Sequence, residues 1–402
     1  MATAPERLHL AVALDGTGWH PASWREPDAR PADLLTPRYW TDLVSEAERG
    51  LLDFVTIEDG LTLQFDNPLR ADERTDRVRG RLDAVLIASR VAPRTSHIGL
   101  IPTAITTHTE PFHLSKAIAT LDYVSSGRAG VRVQVSGSRD AAAHFGRRTV
   151  PDEPKDFAGE LFTEAADYVE VIRRLWDSWE DDAEIRDVAT GRFIDRTKLH
   201  YIDFEGSQFS VKGPSITPRP PQAHPPVVLH LGDGSDEADA VAVIGRWADV
   251  VRVAAPDLAA SAAARQRVRA AVAAAGRDPD AVPVLLDVET LLAATAGDAA
   301  RTLEQLDDWA GATGPAAAPG TLRAVGTPDE LAELIGDAVG GGAADGVTLA
   351  PLALPGGLRV ITGELVPALV ARGLRPAAPR PGSLRDRFGL PRPANYFTEA
   401  RA

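Results

Sequence analysis

His97-Ile98-Gly99-Leu100-Ile101, the polar run Thr103 to Pro111, the segment Phe112 to Val124, and Gly130-Val131-Arg132-Val133-Gln134-Val135-Ser136 form the stretch that decides the fold. The first piece is a short β-branched strand ending at Pro102, and the polar run after it leaves no room for a helix. Phe112, Ala119 and Val124 recur at roughly helical spacing, and Ser125-Ser126-Gly127 supplies the stop. In the last piece every valine is flanked by a polar residue, so one strand face is apolar and the other carries Arg132, Gln134 and Ser136. This is a βαβ unit: the valines meet helices and the polar face looks inside the sheet.

The same alternation continues outward in both directions. Upstream, Leu8 to Leu14 reads as a strand followed by the turn-rich Asp15 to Pro21, and Pro37 to Arg49 reads as a helix. Asp53 to Ile57 is a second strand closing on the carboxylates Glu58 and Asp59, residues 64–80 are charged loop, and Arg81 to Val91 is a helix. Downstream, Ala158 to Trp179 is a long amphipathic helix with Phe162, Ala165, Val169, Ile172 and Trp176 near one face. Periodicity fails over 181–225, a long excursion, and such loops tend to be functional. Strands at 227–231, 250–253, 282–291 and 346–349 then alternate with helices at 235–246, 259–275, 327–339 and 358–372, while the Ala/Gly/Pro-rich 311–326 reads as a linker or loop. About eight strand-helix rounds make an α/β (β/α)₈ TIM barrel, with residues 1–402 forming one domain that carries the 181–225 excursion and a C-terminal arm at 376–402.

Composition narrows the function. A formal charge of −14 argues against a nucleic-acid partner. No apolar run approaches the ~20 residues that span a bilayer, and no secretion signal is visible, so no membrane partner and a cytoplasmic location are expected. Zero cysteines exclude disulfides, thiol nucleophiles and cysteine-ligated metals. No cluster of histidines and carboxylates has metal-ligand spacing, and Gly232-Asp233-Gly234 is too short for a dinucleotide fingerprint.

Gly18-Trp19-His20-Pro21-Ala22-Ser23-Trp24-Arg25, Ala47-Glu48-Arg49-Gly50, Leu175 to Ala183, Phe209 to Pro214, Pro218 to Gln222, Ala344-Asp345-Gly346 and Phe388 to Asn395 together carry a resemblance. The chain resembles the bacterial-luciferase-like flavin monooxygenases, in the branch of the nitrilotriacetate, EDTA and dibenzothiophene-sulfone monooxygenases and the large subunit of pristinamycin synthase. The resemblance implies a TIM barrel that takes reduced FMN from a separate flavin reductase, uses O₂ to oxygenate a small molecule, and assembles as a homodimer or homotetramer. It also implies that Asp59, Thr103, Thr106, Arg132, Ser136 and Ser235 contact the cofactor, and that His20 or His108 handles protons.

Several of those positions depart from the family pattern. Arg132 stands where relatives use Asn; Ala158, Phe162 and Gly234 stand where they use His, Tyr and Ser on the FMN phosphate; His108 replaces a Tyr and His230 a Gln. The expectation is therefore an oxygenase with an altered, weakened FMN site, in which Arg132 or Arg252 substitutes for the lost phosphate donors. Two further readings follow from the same changes: a non-catalytic or regulatory subunit beside an active paralogue, and a barrel rebuilt for another anionic ligand. Alternation further predicts that Arg132 points into the barrel with Glu58 or Asp59 as its partner, and the resemblance implies that 181–225 and the arm wrap outside as a lid or dimer element.

Overall fold

The structure, a computed structural model, describes residues 8–64, 72–150, 157–232, 238–311 and 320–399. Eight parallel strands close on themselves: β1 (His9–Leu14), β2 (Phe54–Ile57), β3 (Gly99–Ile105), β4 (Val131–Gln134), β5 (Val227–Leu231), β6 (Val250–Val253), β7 (Val284–Leu292) and β8 (Gly346–Pro351). Each pairs with the next in the chain, and β8 pairs with β1, so the sheet has no free edge. Among the described residues no helix is long and apolar enough to cross a membrane.

Side-chain alternation sorts every strand into two faces. Val131 and Val133, with Val55, Leu100, Leu229 and Val251, face the ring of helices and form the main core. Helix Phe157–Asp177 buries Ala165, Val169, Ile172 and Trp176 of the stripe its sequence spacing foretells, together with Leu161 and Tyr168, while Phe162 is only half-buried.

The outline of strands and helices follows the sequence expectation, with four differences. Strand β3 runs on to Ile105, through what the sequence reads as loop, because Thr103, Ala104 and Ile105 find ladder partners in Arg132, Val133 and Gln134. A helix at Ala296–Ala310, capped by Thr295 accepting the Asp298 amide, fills a gap the sequence reading passed over. A strand at Leu322–Gly326 lies inside the supposed 311–326 linker and pairs along the second half of β7, while 312–319 lies outside the described residues. A short helix, Arg139–Phe145, follows β4, capped by Ser138.

The arm does not wrap outside as a lid. Arg375 pairs with Asp53 at 2.9 Å, and Leu384, Phe388 and Leu390 then enter the N-terminal mouth of the barrel. There they pack against the lowest inward residues, Ala11, Phe54, Ile101, Val228, Val250 and Leu285. Phe388 sits edge-on to Phe54 with centroids 5.4 Å apart. Gly99 makes this approach possible, since a Cβ there would lie 2.6 Å from Leu384. These side chains are apolar and the barrel floor would otherwise be wet, so the hydrophobic effect draws the arm in. The 181–225 excursion does lie outside, as two short hairpins, Glu184–Asp187 with Arg192–Ile194 and Phe204–Glu205 with Ser210–Val211. The arm ends against it: Asn395 donates to the Asp177 and Trp179 carbonyls, and Phe397 stacks on His200 at 4.7 Å.

Candidate active site

Above the apolar floor the barrel interior turns ionic. Thr56 and Glu58 of the β2 end, Thr103 on β3, Arg132 on β4, His230 on β5, Arg252 on β6 and Asp287 on β7 follow the same inward alternation as the floor residues. They meet one another there. Arg252, 2% exposed, donates from Nε and Nη2 to the two oxygens of Asp287 at 2.8 and 2.9 Å, and from Nη1 to Thr56 and Glu58 at 3.3 Å each. Arg132 donates from Nη1 to Glu58 and, at 3.2 Å, to Thr103 Oγ1. His230 Nε2 lies 3.2 Å from Asp287 Oδ2.

Burial of an unpaired charge would cost several kcal/mol, and two arginines against two carboxylates cancel it. Burial alone would raise Glu58, but Arg132 and Arg252 outweigh it and hold the carboxyl below its ordinary range. Burial likewise opposes ionisation of Asp287, and Arg252 and His230 bring it down to about 2. Arg252 has a partner at each of its three guanidinium nitrogens. Arg132 does not: its buried Nε has no partner among the described residues.

Arg132 also lines a cavity of about 320 Å³, where the β4–β5 ladder ends after Arg132 and Val228 and the two strands splay. Arg132, Gln134 and His230 make its polar end; Val135, Phe162, Leu229, Val243 and Ile244 make its apolar walls. Among the described residues lining it, Arg132 is the only permanent cation. A flat ring system with a hydrogen-bonding edge and an acidic group suits this lining: the walls take the rings, and Arg132 and Gln134 take the edge.

The other residues singled out in the sequence are dispersed. Thr103 is inside, bound to Arg132. Asp59 faces the helices, accepting from the Gly60 and Ala84 amides at 2.7 and 2.9 Å, so Glu58 and not Asp59 takes the inward place. Thr106 donates to the Gln134 carbonyl at 3.3 Å, and the Ser136 amide donates to Thr107 Oγ1 at 3.0 Å, which ties the β3 loop to the end of β4. Gly234 and Ser235 lie outside the described residues. His20 is buried with both nitrogens engaged: Nδ1 accepts from the Ala22 amide, which puts the proton on Nε2, facing Asp307 at 3.1 Å. Burial keeps His20 below the usual histidine range despite Asp307. His108 has φ 74, stacks on Phe145, and its buried Nε2 has no described partner; it borders a separate cavity of about 120 Å³ with Arg148 and Glu164. Neither histidine lines the larger cavity.

Sequence reasoning missed Asp287. The signal was present, because Asp287 and Glu289 are two carboxylates on one face of an otherwise apolar strand, and a buried charge at such a place needs a partner. Among the described residues no group of three or more histidines and carboxylates is placed to hold a metal ion.

Comparison with known proteins agrees with this geometry. The luciferase-like monooxygenase family model matches residues 18–345. The chain is 30% identical to N-acetyl-S-(2-succino)cysteine monooxygenase of Bacillus subtilis (strain 168), covering 99% of this chain and 100% of that one. It is 29% identical to nitrilotriacetate monooxygenase component A of Aminobacter aminovorans, covering 98% of each. Among solved structures, riboflavin lyase with modified FMN and riboflavin superposes with a TM-score of 0.83 at 25% identity, covering 95% of this chain and 96% of that one. The chain belongs to the luciferase-like monooxygenase family. That kinship makes it a flavin-dependent oxidoreductase.

Proposed function

We propose that this protein is the oxygenating component of a two-component monooxygenase: it accepts reduced FMN from a separate flavin reductase and uses O₂ to oxygenate a small organic molecule. The full-length likeness to a monooxygenase carries this reading. When bound, reduced FMN supplies the two electrons that activate O₂. The chain's own residues do the rest. The arm seals the barrel from below, the ion layer fixes Arg132, and the apolar walls of Phe162, Leu229 and Val243 keep water from the rings.

Arg132 meets the hydrogen-bonding edge of the flavin ring, and Arg252 is engaged by Asp287 and Glu58, so neither arginine replaces the family's missing phosphate donors. FMN is accordingly held more weakly than in relatives, since a guanidinium already shared with Glu58 gives up only part of its charge. The exposed Val188, Phe193, Ile185 and Tyr201 on the excursion support self-association as a homodimer or homotetramer. The lack of cysteines suits work in the cytoplasm.

Titration with oxidised and with anaerobically reduced FMN, followed by fluorescence quenching or calorimetry, tests the reading. Reduced FMN should bind, Arg132→Ala should weaken it at least tenfold, Arg252→Ala should act only through stability, and Ala158→His with Phe162→Tyr should strengthen it. Absence of binding in both redox states would discard the oxygenase reading.

A further inference from the structure

Among the described residues two ionisable side chains reach the cavity between β4 and β5, Arg132 and His230, and only a histidine exchanges its proton near neutral pH. The His230 side chain is 30% exposed, against 10% for Arg132 and Asp287 and 3% for Arg252, so it is the most open of these four side chains. Strand geometry puts it there: β5 alternates Val228 in the floor with His230 one layer up, in register with Arg252 of β6. Its Nε2 faces a carboxylate that is itself clamped by a bidentate guanidinium. Asp287 thus acts as an acceptor only. It fixes the tautomer with the proton on Nε2 and leaves Nδ1 for the second proton.

We propose that His230, oriented by Asp287, is the acid that protonates the oxygen leaving the flavin site. The assignment rests on the oxygenase reading above. With a substrate S, reduced FMN, O₂ and S give FMN, SO and water: the O–O bond breaks, one oxygen bonds to S, and the other leaves as water. Without a substrate, reduced FMN and O₂ give FMN and hydrogen peroxide. In both cases the two electrons come from reduced FMN, the departing oxygen takes a proton from His230, and His230 takes back a proton that the flavin releases on returning to FMN. Asp287 is a positioning residue, because it meets the ring and not the oxygen. The charged groups around the ring are Asp287 on β7, Arg252 on β6 and Arg132 on β4, with Glu58 after β2 one link further. Two cations face two anions, so the layer as a whole carries no net charge, and Asp287 is the charge in contact with the ring.

The test mixes reduced-FMN-loaded protein with O₂ and follows oxidised FMN and peroxide across neutral pH, with no substrate present. An acid acts in its protonated form, so the wild-type rate should fall above the histidine midpoint. His230→Gln, which keeps a donor toward Asp287, should be slower by roughly a hundredfold, the low end for general acid catalysis, and should lose that alkaline limb. Asp287→Asn removes an anion beside the ring and should move the limb to lower pH. An independent readout is the proton NMR titration of His230, assigned by its disappearance in His230→Gln, in cofactor-free protein and in anaerobic protein loaded with reduced FMN. In the loaded protein its midpoint should coincide with the kinetic one, a comparison that needs no variant. A limb that persists in His230→Gln, or an NMR midpoint apart from the kinetic one, overturns the assignment while leaving FMN binding and the oxygenase reading in place. Failure to bind reduced FMN overturns both.

Discussion

Glu58 accepts from two buried arginines at once, and that sets an order among substitutions. Glu58→Gln leaves Arg132 without a carboxylate and Arg252 with only Asp287, and should cost about 3–5 kcal/mol, the usual penalty for orphaning a buried charge. Arg132→Met should cost less, because Glu58 keeps Arg252. Urea denaturation of the two variants reads the difference directly. Asp287 adds a pH dependence. Its folded pKa of about 2 lies below the ordinary 3.8, so the unfolded chain binds the proton more readily and stability falls with acid. This contribution, about 2 kcal/mol, should be complete above pH 5 and disappear as pH falls toward 2. Asp287→Asn, less stable at pH 7, should show a shallower acid decline. At this scale the sequence was legible wherever a strand's alternation could be followed. Arg132 faces inward as its valine neighbours require, with Glu58 as partner. Asp59 attracted notice as a strand-end carboxylate, yet parity from Phe54 and Thr56 already selects Glu58. Asp287 sits in a run so apolar that its inward turn was overlooked.

Among the elements, the arm and the β4–β5 gap behave least as sequence patterns suggest. Phe388-Gly389-Leu390 is short and proline-flanked, with nothing in its periodicity to say that it fills a barrel mouth. Only the closed sheet, with Ala11, Phe54 and Ile101 pointing into a common space, creates that demand. Phe388→Ala should therefore destabilise by about 3–5 kcal/mol, as for a core aromatic, measured by thermal unfolding. The excursion was recognisable because helical period fails there and prolines cluster. The helix at Ala296–Ala310 escaped because its sequence is alanine-rich and strongly charged, with a thin apolar stripe of Ala299, Leu306 and Ala310. At the gap, Ala240 lines the cavity from helix Ala238–Trp247. Ala240→Phe should occupy that space and weaken FMN at least tenfold, with reduced-FMN titration as the check. Its stability cost should stay within the 1–3 kcal/mol of overpacking.

Over the whole molecule, three bodies of sequence are bound by a few arginines and one asparagine. Arg219 joins Asp177 at the end of the long helix to Asp181 and to the Pro393 carbonyl; Arg385 joins the arm to the His224 carbonyl; Asn395 closes the loop onto Trp179. Barrel, excursion and arm should thus unfold in a single transition, with circular dichroism and tryptophan fluorescence giving coincident urea curves. Separate transitions would mark the excursion as an independent unit. The arm's place has a further bearing on how the protein comes into being. A ribosome delivers β1 to β8 before it delivers Leu384, Phe388 and Leu390, so a nascent barrel stands with its base open and six apolar side chains facing water. Until those later residues emerge, the young chain is a client for holdase chaperones, and a stop placed between β8 and Leu384 leaves it one permanently.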